Sequence, residues 1–91
     1  MKYEWDPHKE SVNIKKRGIS FTESQEALTC GLVIILKEDK DHDEQRFVFL
    51  GMCKKLNVLV VVVAYPDEKV TRIISARKAN KKERLLYEAQ L

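Results

Sequence analysis

Apolar and polar positions alternate in distinct ways along this chain, and the changes of period mark its elements. Tyr3-Glu4-Trp5 reads as a short strand or extended entry. Asp6 at an N-cap and Pro7 at the first helical position start a helix. That helix runs to about Arg17 and stops at Gly18, a residue free to take the left-handed cap. Ser20 with Glu23 forms a capping box for a second helix, with Phe21, Ala27 and Leu28 as its apolar side, ending near Cys30-Gly31. Strand-like patterns follow. Leu32 to Leu36 is continuously apolar, and the charged stretch from Lys37 to Asp43 reads as a solvated loop. From Glu44 to Cys53 the pattern alternates, with Phe47 and Phe49 on one face and Glu44, Arg46 and Val48 on the other. Val58 to Tyr65 is apolar throughout, as expected of a central strand covered on both faces. Pro66-Asp67-Glu68 turns the chain. Lys69 to Ala76 is the last strand, and Ala79 to Gln90 has helical composition, with Leu85, Leu86 and Ala89 as a weak apolar side.

This order predicts an α+β fold. Two N-terminal helices pack on the Phe47/Phe49 face of an antiparallel meander, and a C-terminal helix partly shields the other face. The 91 residues suffice for one domain, spanning 1–91, with a modest core. No apolar run of membrane-spanning length occurs, and the first residues lack the apolar segment of a signal peptide. Cys30 and Cys53 have neither metal-type nor redox-type spacing, and read as buried free thiols of a cytoplasmic protein.

Charge sharpens the picture. The net charge of +3 is unevenly divided: residues 1–45 carry seven Lys/Arg against ten Asp/Glu, net −3, and residues 46–91 carry ten against four, net +6. A basic second half suits an anionic partner, although a solvated basic face has the same composition. Arg72-Ile-Ile-Ser-Ala-Arg77-Lys78-Ala79 places two guanidinium forks on one strand, matching phosphate geometry. Their odd separation puts Arg72 and Arg77 on opposite faces of a regular strand. They reach one site only if the chain bulges or leaves the sheet near Ser75-Ala76. Otherwise Arg72 is a rim charge and Arg77 a charge at a helix start.

Several motifs run in a fixed order: Glu4-Trp5-Asp6-Pro7; Asn13-x-x-Lys16-x-Gly18-Ile19-x-Phe21; Glu44-x-Arg46; Gly51; the Arg72 to Ala79 segment; Glu83-Arg84; and Tyr87-Glu88. In this order and spacing they resemble the BrnT family of type II toxins, whose fold is like that of the RelE ribonucleases. The resemblance covers nearly the whole chain. It departs at Arg17, where many members carry histidine. It implies a small ribonuclease that inhibits translation and growth, and a BrnA-like ribbon-helix-helix antitoxin through which the pair reaches operator DNA.

Metal-free cleavage of RNA needs a base for the 2′-hydroxyl, cations for the transition state and an acid for the leaving oxygen. Glu44 and Arg46 share a strand face and suit base and stabiliser, though an ordinary ion pair has the same pattern. With Arg72 and Arg77 they form the expected catalytic set. Lys16, Lys78, Lys81 and Lys82 are expected RNA-backbone contacts, or solvated helix charges. Tyr87 can stack on a base or sit in the rim or core. His42 in the acidic stretch is a possible acid or base, whereas His8 in the first helical turn reads as solvated. Asp39, Asp41, Asp43 and Glu44 lack calcium-loop spacing, so neither metal nor cofactor is expected. The alternative function is a non-catalytic RNA-binding or protein-interaction module with the same fold.

Overall fold

The computed structural model of the chain describes residues 2–40, 44–54 and 57–91. Its elements run β1 (Lys2–Glu4), α1 (Pro7–Arg17), α2 (Phe21–Thr29), β2 (Val33–Asp39), β3 (Gln45–Met52), β4 (Val58–Asp67), β5 (Val70–Lys78) and α3 (Lys81–Glu88). The strands form one mixed sheet in the order β1-β5-β4-β3-β2. From β2 to β5 the sheet is the expected antiparallel meander. The addition is β1, which pairs in parallel with β5, Glu4 opposite Arg72.

The helix ends follow their cap residues. The Asp6 carboxylate accepts from the His8 N–H at 2.8 Å, and Gly18 closes α1 at φ 71°. The Ser20 and Glu23 box starts α2. Glu10 of α1 also accepts the Phe21 N–H at 2.8 Å, which ties the two helices together. The expected element bounds differ at several places, and β4 runs on through Pro66 to Asp67, residues assigned above to a turn. β2 continues to Asp39, through residues assigned above to a solvated loop. β5 continues past Ala76 to Lys78. The C-terminal helix begins two residues later than expected, because Asn80 caps it and forms a second capping box with Glu83.

Two apolar layers enclose the sheet. On one face, Ile19, Phe21 and Ala27 join Leu59, Val61, Val63, Ile73 and Ala76, with Phe47 and Phe49 packed against them. This is the face assigned to the N-terminal helices. The cover is unequal, however: α2 touches β3, β4 and β5, whereas α1 lies along β5. Its one buried residue is Asn13. On the other face Leu50, Val58 and Val60 pack with Ala79 and Tyr87. The apolar side expected of the last helix is therefore misplaced. Leu85 and Leu86 are exposed, and Tyr87 is buried instead. The helix spans only eight residues and anchors through that ring, whose hydroxyl donates to the Leu32 carbonyl at 2.7 Å.

Asn13 explains the position of α1. β1 covers the outer edge of β5 only from Val70 to Arg72. Further along, the Asn13 side chain takes the place of a neighbouring strand. Its Nδ2 donates to the Ala76 carbonyl at 3.0 Å, and its Oδ1 accepts the Ala76 N–H at 3.1 Å. Nδ2 also donates to the Ile19 carbonyl at 2.8 Å. One buried amide thus satisfies backbone groups that would otherwise be orphaned at the sheet edge, and fixes the helix to it. Of the two cysteines, Cys53 is buried as expected, but Cys30 is exposed; neither forms a disulfide.

Candidate active site

The register of β5 decides where its arginines point. Ala64 pairs with Arg72 and Val63 with Ile73, but Val62 pairs with Ser75 and Val60 with Arg77. Ile74 is the extra residue of a bulge, one position before the point at which sequence alone required it. The bulge reverses the parity of everything after it. Arg72 and Arg77 consequently share the sheet face that carries α3.

Arg46 lies on the same face. It pairs with Ala64 from the β3 side, so Arg46, Ala64 and Arg72 form one rung across three strands. Two strand spacings separate the two arginine backbones, roughly 10 Å. The fully buried Ala64 between them leaves room for the two long stems. Arg77 sits opposite Val60, four residues along β4 and therefore roughly 13 Å from that rung.

Each of the two β5 guanidinium groups is held by carboxylates from elsewhere in the chain. Arg72 Nη2 lies 3.0 Å from Glu4 Oε1, and Arg72 Nη1 lies 3.0 Å from Glu44 Oε1. Arg77 makes a two-pronged contact with Glu83, at 2.8 and 2.9 Å. Glu83 also accepts the Asn80 N–H in its capping box, so the residue that starts α3 is the one that orients Arg77. The Arg77 hydrogen bond holds the Glu83 carboxyl below its ordinary range, and the same bond raises the Arg77 guanidinium further. Arg46 differs from both. Its Nε is buried, with no hydrogen-bond partner among the described residues.

Between α1 and this face runs a cleft of about 350 Å³. Lys9, Lys16 and Arg17 line it from α1, Ser75 and Arg77 from β5, and Val60 and Val62 form its floor. His8 and Val12 are also in its wall, and among the described residues no acidic one is. A groove walled by four cations and floored by valine attracts phosphate and leaves apolar surface for a sugar or base.

The remaining expected residues are dispersed. Lys16 lies in the cleft. Lys78 pairs with Leu59 and so points to the opposite face from Arg77. Lys82 borders a separate apolar groove with Leu36, Leu85 and Leu86, and Lys81 is exposed at the first turn of α3. Base stacking by Tyr87 does not fit the structure, because the ring is 2% exposed and its hydroxyl is engaged. His42 lies outside the described residues, as do Asp41 and Asp43. Sequence reasoning passed over His8 and Arg17 as parts of this cleft, and Asn13 as its hinge to the sheet. It also missed the Asn80-x-x-Glu83 capping box, a signal that was present in the chain.

Residues 5–83 match the family described as ribonuclease toxin, BrnT, of type II toxin-antitoxin system. The fold also matches the crystal structure of the Brucella abortus ribonuclease toxin BrnT, with a TM-score of 0.69 and 24% identity, over 89% of this chain and 99% of that one. No curated protein sequence matches the chain. An α+β protein with a five-stranded mixed sheet and an arginine-lined face is thereby placed among toxins of bacterial type II systems. The chain belongs to the BrnT ribonuclease toxin family. Membership implies an RNA substrate and an antitoxin partner. No helix among the described residues is long and apolar enough to cross a membrane.

Proposed function

We propose that the chain is an endoribonuclease toxin that cuts RNA by metal-independent acid/base chemistry and so arrests translation and growth. The observation that carries this reading is the bulge at Ile74, which sets Arg72 and Arg77 on one face with Arg46, beside a cationic cleft. Three guanidinium groups on one rigid sheet can stabilise the charge that gathers on phosphorus during strand cleavage, the task a metal ion performs in other nucleases. Glu44 takes the proton of the attacking 2′-hydroxyl. Its contact with Arg72 aims that carboxylate at the shared face. Arg46, Arg72 and Arg77 bind the scissile phosphate and its neighbours, while Lys16, Arg17 and Lys9 follow the backbone along the cleft. The fold is read as RelE-like, as the family resemblance implies.

A cationic site of this kind calls for a neutralising protein. The reading assigns that role to a BrnA-like antitoxin with a ribbon-helix-helix domain, through which the pair reaches operator DNA. The test is cleavage of labelled RNA by the purified chain in excess EDTA, beside the Glu44→Gln and Arg46→Ala variants. Cleavage in EDTA with at least tenfold loss in each variant, at unchanged circular dichroism, is the expected result. Activity restored only by Mg²⁺ or Mn²⁺ refutes the metal-free mechanism, and two fully active folded variants refute the site.

A further inference from the structure

Strand cleavage by the 2′-hydroxyl also needs a proton for the departing 5′-oxygen, since an alkoxide is a poor leaving group. The arginines hold their protons too tightly to supply it. We infer that His8 is this proton donor, an inference that rests on the ribonuclease reading above.

Three observations carry it. First, His8 is in the wall of the cationic cleft, together with Ser75 and Arg77. Its backbone N–H is held by Asp6, and its ring is not engaged in the core, the residue being exposed. Second, its position along β5 can be worked out. Asn13 is fixed to Ala76 by two hydrogen bonds, and Glu4 is fixed opposite Arg72. His8 precedes Asn13 by five residues, roughly 7–8 Å of helix. This places it alongside the middle of β5, between the Arg46/Arg72 rung and Arg77. An RNA backbone running between those two arginine stations, several atoms longer than one phosphate, passes the start of α1 that carries His8. Third, among the described residues no carboxyl group lines the cleft, and its other ionisable members are Lys9, Lys16, Arg17 and Arg77. The floor from β4 contributes only Val60 and Val62. Asp6 at the helix cap is the acidic neighbour. Imidazole is the one group in this wall that exchanges a proton readily near neutrality.

The step balances as follows. Glu44 accepts the 2′-hydroxyl proton as the 2′-oxygen bonds to phosphorus. The bond from phosphorus to the 5′-oxygen breaks, and the His8 imidazolium gives its proton to that oxygen. The products are a 2′,3′-cyclic phosphate and a 5′-hydroxyl. Solvent then removes the proton from Glu44 and returns one to His8.

The experiment uses one oligoribonucleotide that the unaltered chain cuts, and the same oligonucleotide with sulfur in place of the departing 5′-oxygen. A thiolate leaves without a proton. His8→Gln is expected to slow cleavage of the oxygen substrate by about 100-fold or more. It should cut the sulfur substrate nearly as fast as the unaltered chain does. The alkaline fall of the rate with pH expected for the unaltered chain on the oxygen substrate should be absent from His8→Gln and retained by His42→Gln. Equal losses on both substrates, no loss on either, or an alkaline limb that disappears with His42 instead, each overturn the assignment. Failure of the unaltered chain to cut any RNA overturns the ribonuclease reading itself.

Discussion

Replacing Asn13 by alanine is the most searching test of how the site is built. Its amide makes three hydrogen bonds, to Ala76 O, from Ala76 N and to Ile19 O, and the residue is 8% exposed. A typical intramolecular hydrogen bond contributes about 0.5–1.5 kcal/mol net. Removing three without replacing the partners leaves Ala76 and Ile19 groups unsatisfied at a buried edge, for a loss of roughly 2–4 kcal/mol. Domains of this size have about 5–14 kcal/mol in total, so the change removes a large fraction. The midpoint of thermal unfolding should fall by roughly 10–25 °C. Asn13→Asp should be at least as damaging. It keeps an acceptor for the Ala76 N–H but sets a carboxylate oxygen against two carbonyls. Urea unfolding followed by circular dichroism measures both. A loss below about 0.5 kcal/mol for Asn13→Ala, less than one such bond, refutes the strand-substitute role. Since the same amide fixes α1, activity should fall further than the folded fraction does.

Two further outcomes follow from other contacts. A Cβ added at Gly51 lies 2.5 Å from the Ala27 carbonyl oxygen, a backbone atom, so Gly51→Ala must push α2 off β3; a loss of about 1–3 kcal/mol by urea unfolding is expected, and an unchanged midpoint contradicts the close approach. The Glu83 carboxyl is held below its ordinary value, first by its hydrogen bond to Arg77, so it binds fewer protons folded than unfolded near that pH. Its stabilisation is full above about that value and is lost as pH falls through the lowered folded value. Unfolding midpoints measured down the acid range should therefore drop more steeply for the unaltered chain than for Glu83→Gln, and parallel curves refute the linkage.

What could be read from the chain, and what could not, divides by distance along it. The caps at Asp6, Ser20 and Gly18 involve residues a few positions apart, so α1 and α2 were legible. Period two in β3 and the valine run of β4 were equally local. The parallel pairing of β1 joins Glu4 to Arg72, and three residues leave no periodic trace. β2 keeps its strand through Lys37, Glu38 and Asp39 because it lies at the sheet edge, where charged side chains reach water. The last helix misled for a related reason. Counting leucines marks an apolar side only when a helix lies along its support, and α3 touches at Tyr87. For the site, Arg46, Arg72 and Arg77 were visible as residue types, but their common face depended on one unpaired residue, Ile74. Nothing in Ile-Ile-Ser marks a bulge. Glu83 was read only as part of a family motif and His8 only as solvated, because a helix with charged residues has the same composition whether or not it borders a cleft.

The carboxylates that aim the arginines come from widely separated parts of the polypeptide: Glu4 from β1, Glu44 just before β3, and Glu83 from α3. A nascent chain still held at the ribosome before residue 83 emerges has Arg77 without its partner and α3 without its cap. The charged face is therefore assembled late in synthesis.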